Sequence, residues 1–186
     1  MINNRDVYAA VGGRPVLERV HKLLYDRLFS HPWLGAFFAE VEQDFIESQQ
    51  TDFMSSVSGG PKSYVGQPPL PSHVHMFLNE EIFELRHKML DVSIREAGVP
   101  EEAREAWLKL DRSFVAAVVK KSVGDCKQRY SFEGIVAVAK PAGYSQATDP
   151  ALVEDTGIKR PTFGNPISPL HAVGEGGAPK IDRGAA

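Results

Sequence analysis

The sequence predicts an all-α domain followed by an extension of different composition. Up to about residue 124, apolar side chains recur at helical spacing, and no stretch alternates between apolar and polar residues as a half-buried strand does. Beyond that point prolines and glycines recur throughout, and the helical pattern is lost. We therefore expect a helical domain over residues 1–124 and a Pro/Gly-rich C-terminal extension over 125–186 that is largely irregular or disordered.

Two helices are expected in the first half of this domain. One begins after the glycine pair at 12–13 and ends at Pro32, which cannot continue a helix. Its apolar face consists of Leu17, Val20, Leu24 and Leu28. After a short helical turn over 33–38, a second helix runs from about Gln43 to Val57 and ends at a Gly-Gly-Pro stop. Its stripe consists of Phe45, Ile46, Gln49, Gln50, Phe53, Met54 and Val57.

Two further helices complete the domain. Asn79 is a favourable N-cap residue, and acidic residues in the first turn suit the positive end of the helix that it begins. This helix ends at Gly98, and Pro100 opens the last helix. The apolar face of the last helix consists of Ala103, Trp107, Leu110, Phe114, Ala117 and Val118. In the extension, residues 132–138 are compatible with one short strand, which would be marginal because it has no partner.

Composition excludes several classes of protein. The net charge of −3 gives no positive field that would gather nucleic acid or anionic lipid. The single cysteine, Cys126, excludes an internal disulfide and a cysteine-based zinc site. The first residues contain no apolar signal segment, and no apolar run approaches the ~18 residues of a membrane span. We expect a cytoplasmic protein with neither a nucleic-acid nor a membrane partner.

A few polar side chains stand out against the apolar faces. Gln49 and Gln50 lie within an apolar stripe, so they either lie at its wet edge or face a cavity that holds a polar ligand. Tyr25 lies on the core-facing helix, where its hydroxyl needs a partner. His73, just after a proline-rich stretch, is either an exposed loop residue or the neutral imidazole that an iron porphyrin needs, and His75 is its competitor. The remaining histidines are interpreted as surface or packing residues: His21, His31, His87 and His171.

An ordered series of motifs resembles the truncated haemoglobins and is most similar to the group I branch. The series consists of Val11-Gly12-Gly13, Leu24-Tyr25-Asp26-Arg27, the run from His31 to Phe38, Gln50, the run from Ser58 to Gly66, His73, Phe83 and Ala97-Gly98-Val99-Pro100. From Tyr25 to Pro100 the motifs follow the family's separations without insertion. The resemblance covers roughly residues 7–123, and the tail has no counterpart in it.

The resemblance implies a two-over-two helical sandwich, the truncated globin fold, that holds one haem b per chain. His73 corresponds to the family's proximal histidine, the protein ligand of the iron. Tyr25 and Gln50 correspond to the distal residues that bind the sixth ligand and would carry any catalysis. Other cofactor-contacting positions correspond to Phe38, Ile46, Gln49, Phe53, Met54, Tyr64, Leu78 and Phe83.

Three features of the sequence affect this expectation. Ile46 is apolar where globins often place a histidine or glutamine, so the distal iron site should be open to gas. Gln49 stands where a basic residue often meets a haem propionate, so this anchor must come from elsewhere, with Lys62 as the candidate. The proline-rich loop before His73 is also unusual and is expected to stiffen or shift the proximal segment.

The implied function is reversible binding of dioxygen, with nitric oxide and carbon monoxide as further ligands. One alternative is an enzyme, a nitric oxide dioxygenase that takes electrons from an external reductase, since the chain has no flavin or nicotinamide motif. Another is a haem-based gas or redox sensor whose output is the tail. The last is a helical bundle without a cofactor, which leaves the inward-facing polar residues unexplained.

Overall fold

The computed structural model describes residues 2–153, which form helices joined by short connections. Seven α-helices lie in this range: α1 (Val7–Val11), α2 (Arg14–Ser30), α3 (Gln43–Val57), α4 (Pro69–His73), α5 (Glu80–Glu96), α6 (Glu101–Arg112) and α7 (Val115–Val118). A 3-10 turn over Leu34–Phe38 lies between α2 and α3. None of the helices between residues 2 and 153 is both long enough and apolar enough to cross a lipid bilayer.

The predicted bounds of α2 and α5 are confirmed, and local sequence explains them. Gly12 and Gly13 precede α2 with φ angles of 103° and 74°, in the left-handed region that favours glycine. The Asn79 side chain accepts a 2.9 Å hydrogen bond from the backbone N–H of Ile82, which fixes the start of α5. Just after α5, Gly98 has a φ of 75°, as is common where a helix ends.

The hydrophobic core lies between two pairs of helices. α2 packs against α3 and α5, and α5 packs against α6, so the predicted two-over-two sandwich is confirmed. The four residues predicted on the apolar face of α2 are all buried: Leu17, Val20, Leu24 and Leu28. Burying one such side chain contributes about 1.5–3 kcal/mol, so this face alone supplies much of the attraction between the helices.

The last predicted helix is interrupted, so the expectation of one continuous helix is wrong. α6 ends at Arg112, and a separate single turn, α7, follows. The Ser113 hydroxyl donates a 2.6 Å hydrogen bond to the carbonyl of Leu110, and bonds of this kind compete with a regular helix. After the break, the ring of Phe114 packs beside Phe53 of α3, with centroids 5.3 Å apart.

The segment over 125–153 is irregular and packs onto the helical domain. It contains no α-helix. The expectation that its 132–138 stretch has no partner is wrong, because Val136 forms a parallel bridge with Met76. The indole Nε1 of Trp33 donates a 3.3 Å hydrogen bond to the carbonyl of Val138. Residues 154–186, including His171, lie outside the described residues.

Candidate functional site

His73 is the last residue of α4, and one hydrogen bond orients its imidazole. Nδ1 lies 2.8 Å from the carbonyl oxygen of Pro69. Because a carbonyl only accepts, Nδ1 carries the proton and Nε2 keeps its lone pair. Nε2 has no hydrogen-bond partner within residues 2–153, and burial lowers the pKa of His73, which favours the neutral ring. A neutral imidazole bonded at Nδ1 and free at Nε2 is the form that ligates a metal.

The proline-rich stretch before His73 begins a helix. Pro68 precedes α4 with a ψ of 161°, and Pro69 is its first residue. Proline is tolerated there because the N–H groups of a first turn have no helical partner. The Ser72 hydroxyl lies 2.9 Å from the carbonyl oxygens of both Gln67 and Pro68. The prolines therefore set the start of α4 and place His73 one turn beyond it.

Tyr25 of α2 lies in an aromatic cluster. Its ring meets Phe38 edge-on at 5.9 Å and Phe29 at 6.3 Å between centroids, and these two phenylalanines stack at 5.0 Å. Only 6% of Tyr25 is exposed, and burial raises the pKa of its hydroxyl to about 12. The hydroxyl forms no hydrogen bond to any residue between 2 and 153. The Tyr25 hydroxyl is therefore protonated and is a hydrogen-bond donor without an acceptor among the described residues.

α3 has two different faces. One face is buried against the core and consists of Thr51, Met54 and Ser55. The other is half-buried and consists of Ile46, Gln49, Gln50 and Phe53. Neither glutamine amide forms a hydrogen bond within the described part of the chain. Half-buried apolar groups beside unpartnered amides are typical of a face that borders a ligand cavity.

An apolar cleft of about 410 Å³ opens between α3 and the segment that leads into α4. Phe53 lies on its α3 side, and Tyr64 packs edge-on against Phe53 with centroids 5.3 Å apart. The Tyr64 hydroxyl donates a 2.8 Å hydrogen bond to the carbonyl of Gln67. Lys62 is exposed and lies at the cleft, where its ammonium could meet an anionic group. Clefts of this size and apolar lining are typical of small-molecule sites.

The residues expected to contact a cofactor fall into separate groups. Tyr25 and Phe38 are in ring contact, and so are Phe53 and Tyr64. Phe83 is buried and stacks on His87, with centroids 6.0 Å apart. Met54 and Leu78 belong to the hydrophobic core. Of the residues expected to contact a cofactor, Phe53 and Tyr64 are the two that line the cleft.

A buried charged cluster was not expected from the sequence. Arg86 of α5 pairs with the carboxylate of Asp111 of α6, and His87 Nδ1 lies 2.7 Å from the same carboxylate. The Arg86 side chain remains 24% exposed, and only one of its nitrogens has a described partner. Burial is the main cause that lowers the pKa of His73 and raises that of Tyr25, and the Arg86 charge also acts on both groups. Arg86 is therefore a positive charge on α5 that affects the pKa of both groups.

Three of the histidines interpreted as surface or packing residues are buried: His21, His31 and His87. His21 Nδ1 lies 2.7 Å from the Thr51 hydroxyl. His31 Nε2 lies 2.8 Å from the Asp149 carboxylate. These two and His87 are therefore packing residues and not surface residues. Each partner lies at least 24 residues away in sequence, so no local pattern reveals it.

His75, the competitor of His73, has a different environment. It is buried, and its Nε2 lies 3.7 Å from a carboxylate oxygen of Glu133. Its Nδ1 has no partner among the described residues. The Nε2 of His75 thus faces an acidic side chain of the C-terminal segment, whereas the Nε2 of His73 has no described hydrogen-bond partner.

A two-over-two helical sandwich, with one free imidazole nitrogen and an unpartnered phenol near an apolar cleft, is the arrangement of a truncated globin. The chain belongs to the bacterial-like globin family, which matches residues 6–120. The C-terminal segment beyond residue 120 lies outside this match.

The relatives found are group 1 truncated haemoglobins. That of Nostoc sp. is 26% identical over 115 residues, which cover 62% of this chain and 98% of the relative. That of Tetrahymena pyriformis is 27% identical over 95 residues, covering 51% of this chain and 78% of the relative. The crystal structure of the Tetrahymena pyriformis protein, Fe(III) form, aligns with a TM-score of 0.58 at 24% identity, covering 62% of this chain and 98% of that chain. The haemoglobin of Chloroflexus aurantiacus gives 0.57 at 24% identity, with the same coverage. These two structures establish the fold.

Members of the globin family bind haem, and the residues of this chain fit that group. A porphyrin needs apolar surface, and the cleft between α3 and the segment before α4 offers it, although neither His73 nor Tyr25 is among the residues that line the cleft. The His73 imidazole is neutral and bonded through Nδ1, which is the form that an iron needs. Tyr25 and Gln50 carry hydrogen-bond donors without described partners, and donors of this kind suit a polar ligand.

Proposed function

We propose that this protein binds one haem b per chain through His73 and binds dioxygen reversibly. The observation that carries the proposal is the hydrogen bond from His73 Nδ1 to Pro69, which leaves Nε2 unprotonated and free. The haem iron, when bound, supplies the position at which a diatomic gas is ligated. The protein supplies the imidazole, the apolar surroundings and the polar donors.

Tyr25 and Gln50 would stabilise the gas ligand. Dioxygen becomes partly negative on a ferrous haem, and the Tyr25 hydroxyl is protonated and unpartnered. A hydrogen bond to a charged acceptor contributes about 1.5–3 kcal/mol. The Gln50 amide also has no described partner and lies on the half-buried face of α3. Ile46, on the same face, has no polar atom with which to ligate the iron itself.

The aromatic side chains would pack against the porphyrin, whereas Tyr25 and Gln50 would bind the gas ligand. Phe38, Phe53 and Tyr64 present aromatic surface that can pack on a porphyrin and keep water from the ligand. Lys62 lies at the cleft and is the basic side chain that would pair with a propionate, since Gln49 carries no charge. Met54, Leu78 and Phe83 would support the lining residues from within the core, since they are buried.

The reversible-binding proposal is tested by stopped-flow mixing of the reduced, haem-loaded protein with dioxygen. We expect saturable binding and complete release when the dioxygen is removed. Rapid oxidation to the ferric form without a reversible phase would contradict the proposal. Nitric oxide dioxygenation is the alternative use of the same residues, in which dioxygen, nitric oxide and an electron from an external reductase give nitrate. Sustained consumption of nitric oxide over many turnovers with a supplied reductase would favour that alternative.

Release of dioxygen should not depend on pH in the neutral range. Burial raises the pKa of Tyr25 to about 12, so its hydroxyl stays protonated and remains a donor below that value. We expect the dissociation rate constant to be unchanged between about pH 6 and about pH 10, whereas a tyrosine with an ordinary pKa near 10 would lose its proton at the upper end. Stopped-flow measurement of the dissociation rate constant across this range checks the prediction. A rate constant that rises steeply before about pH 10 would contradict it.

Arg86→Met should weaken the binding of anions to the ferric protein. The Arg86 guanidinium keeps nitrogens without a described partner, and its charge reaches the candidate site. We expect the affinity for azide to fall about tenfold and the affinity of the reduced protein for carbon monoxide to stay within about twofold, since the latter is neutral. Arg86→Lys keeps the charge and is the control. Equal losses for azide and carbon monoxide would show that Arg86 only supports the fold.

A further inference from the structure

The backbone just after the proximal histidine is bonded to residues outside the globin match. The N–H of Lys127 donates to the carbonyl of Val74 at 2.9 Å. The N–H of Val136 donates to the carbonyl of His75 at 2.9 Å, and its carbonyl accepts from the N–H of Phe77 at 2.8 Å. We call residues 127–136 the strap. The family match ends at residue 120, so the strap is a feature of this chain beyond the globin domain.

The proximal segment needs such partners because it has little regular structure of its own. α4 has only five residues and α5 begins at Glu80, and the segment between them makes one turn of backbone hydrogen bonding with α4, from the Met76 N–H to the His73 carbonyl at 3.0 Å. Buried backbone groups require partners, and here the strap provides them. Lys120 adds a direct bond, since its Nζ donates to the carbonyl of His73 itself at 2.8 Å.

Side chains of the strap reinforce these backbone bonds. Arg129 pairs with Glu133 inside the strap, and its Nη1 donates a long, 3.4 Å hydrogen bond to the carbonyl of Ser72. Glu133 in turn lies 3.7 Å from Nε2 of His75. The residues on both sides of His73 are therefore in contact with the strap.

The chain beyond the strap is also bonded to the helical domain, at His31. The Asp149 carboxylate lies 2.8 Å from Nε2 of His31 and accepts a 2.6 Å hydrogen bond from the Tyr144 hydroxyl. Nδ1 of His31 accepts from the backbone N–H groups of Trp33 and Leu34 at 3.0 and 2.9 Å, so the proton is on Nε2 and points at the carboxylate. The strap is thus tied to the helical domain beyond its C-terminal end.

We propose that the strap positions the proximal histidine and so sets the affinity of the haem for gas ligands. The inference rests on the proposed function, because it assigns His73 to the iron. Groups that orient a metal ligand from outside typically change metal affinity or activity by about 10–100-fold when they are removed. The strap contacts the backbone of the ligand-bearing segment at Ser72, Val74, His75 and Phe77, and Lys120 contacts His73.

Two substitutions test this in the full-length, haem-loaded protein. Val136→Pro removes the N–H that bonds to His75, and Ala137→Pro is its control, because the Ala137 N–H has no described partner. Lys120→Met removes the bond to the His73 carbonyl, and Lys121→Met is its control, because Lys121 is exposed. Both active variants should shift or broaden the iron–imidazole stretching band in resonance Raman spectra. They should also change carbon monoxide affinity by about threefold to tenfold, while the controls match the wild type.

A second readout does not involve haem. Hydrogen exchange of the Phe77 amide in the cofactor-free chain should be at least about tenfold faster in Val136→Pro than in Ala137→Pro. If exchange accelerates while the Raman band and the carbon monoxide affinity stay unchanged in both active variants, the strap is only structural and the inference is wrong. A wild-type chain that takes up no haem would instead overturn the proposed function. The two failures are therefore distinguishable.

Discussion

His73→Gly is expected to abolish tight haem binding, and free imidazole is expected to restore it. The Pro69 carbonyl holds the His73 ring so that its Nε2 is unprotonated and free, and glycine removes that ligand while leaving a space of the same shape. Haem loss to an excess of an apoglobin acceptor should become at least about a hundredfold faster, because removing the ligand itself should exceed the roughly 10–100-fold effect of removing a group that only orients a ligand. Adding imidazole should slow the loss towards the wild-type rate.

His75→Gly is the matched control for this substitution. His75 is buried two residues further along, but its Nε2 faces Glu133 of the strap. We expect some loss of thermal stability and retention of haem, with a normal ligand-free spectrum. Haem loss in His75→Gly, together with retention in His73→Gly, would contradict the assignment of the proximal ligand.

Tyr25→Phe is expected to speed dioxygen release by about tenfold to a hundredfold. The reason is that the substitution removes a buried, protonated hydroxyl that has no other described partner. A hydrogen bond to a partly charged ligand contributes about 1.5–3 kcal/mol, and 1.4 kcal/mol corresponds to tenfold in rate or affinity. Stopped-flow displacement of dioxygen by carbon monoxide measures the rate constant.

Tyr64→Phe is the control that separates the loss of the Tyr25 hydroxyl from a general effect of changing an aromatic side chain near the site. The Tyr64 hydroxyl donates to the carbonyl of Gln67, and its ring remains against Phe53 in either form. We therefore expect dioxygen release within about twofold of the wild type. An unchanged rate in Tyr25→Phe would remove Tyr25 from ligand stabilisation, and equal acceleration in both variants would indicate a shared packing effect.

Much of the helical domain is predictable because its signals are local. The glycine pair before α2, the cap at Asn79 and the glycine at 98 act within a few residues of the helix ends that they define. The apolar face of α2 is predictable from spacing alone. The interruption after α6 is not, because the apolar spacing continues through Phe114 and Val118 and no proline or glycine marks a stop.

Contacts between distant parts of the chain were not predictable in this way. Asp111 meets Arg86 and His87 across two helices, and Asp149 meets His31 over 118 residues. Composition also suggested an extension largely without order, whereas the part that is described, up to residue 153, forms backbone bonds with the proximal segment. A stretch rich in proline and glycine can still be held when another irregular segment offers unpaired backbone groups.

The residues of the candidate site were predictable mainly from the ordered set of motifs. A lone histidine after prolines carries little information by itself, and so does a glutamine in an apolar stripe. The structure adds the proton position on His73 and the unpartnered state of Tyr25, neither of which is encoded by spacing. It also adds the positive charge of Arg86, which lies one helical turn from Phe83 on α5.

The visible absorption spectrum of the purified protein, oxidised, reduced and under carbon monoxide, tests the central claim most directly. We expect a Soret band whose position shifts sharply when carbon monoxide is added to the reduced protein, because His73 would hold the iron and Ile46 offers no polar atom that would compete with the gas. A Soret band that carbon monoxide does not move would show a second protein ligand on the iron. The absence of a Soret band, even after hemin is added to the purified chain, would contradict the assignment of a haem site.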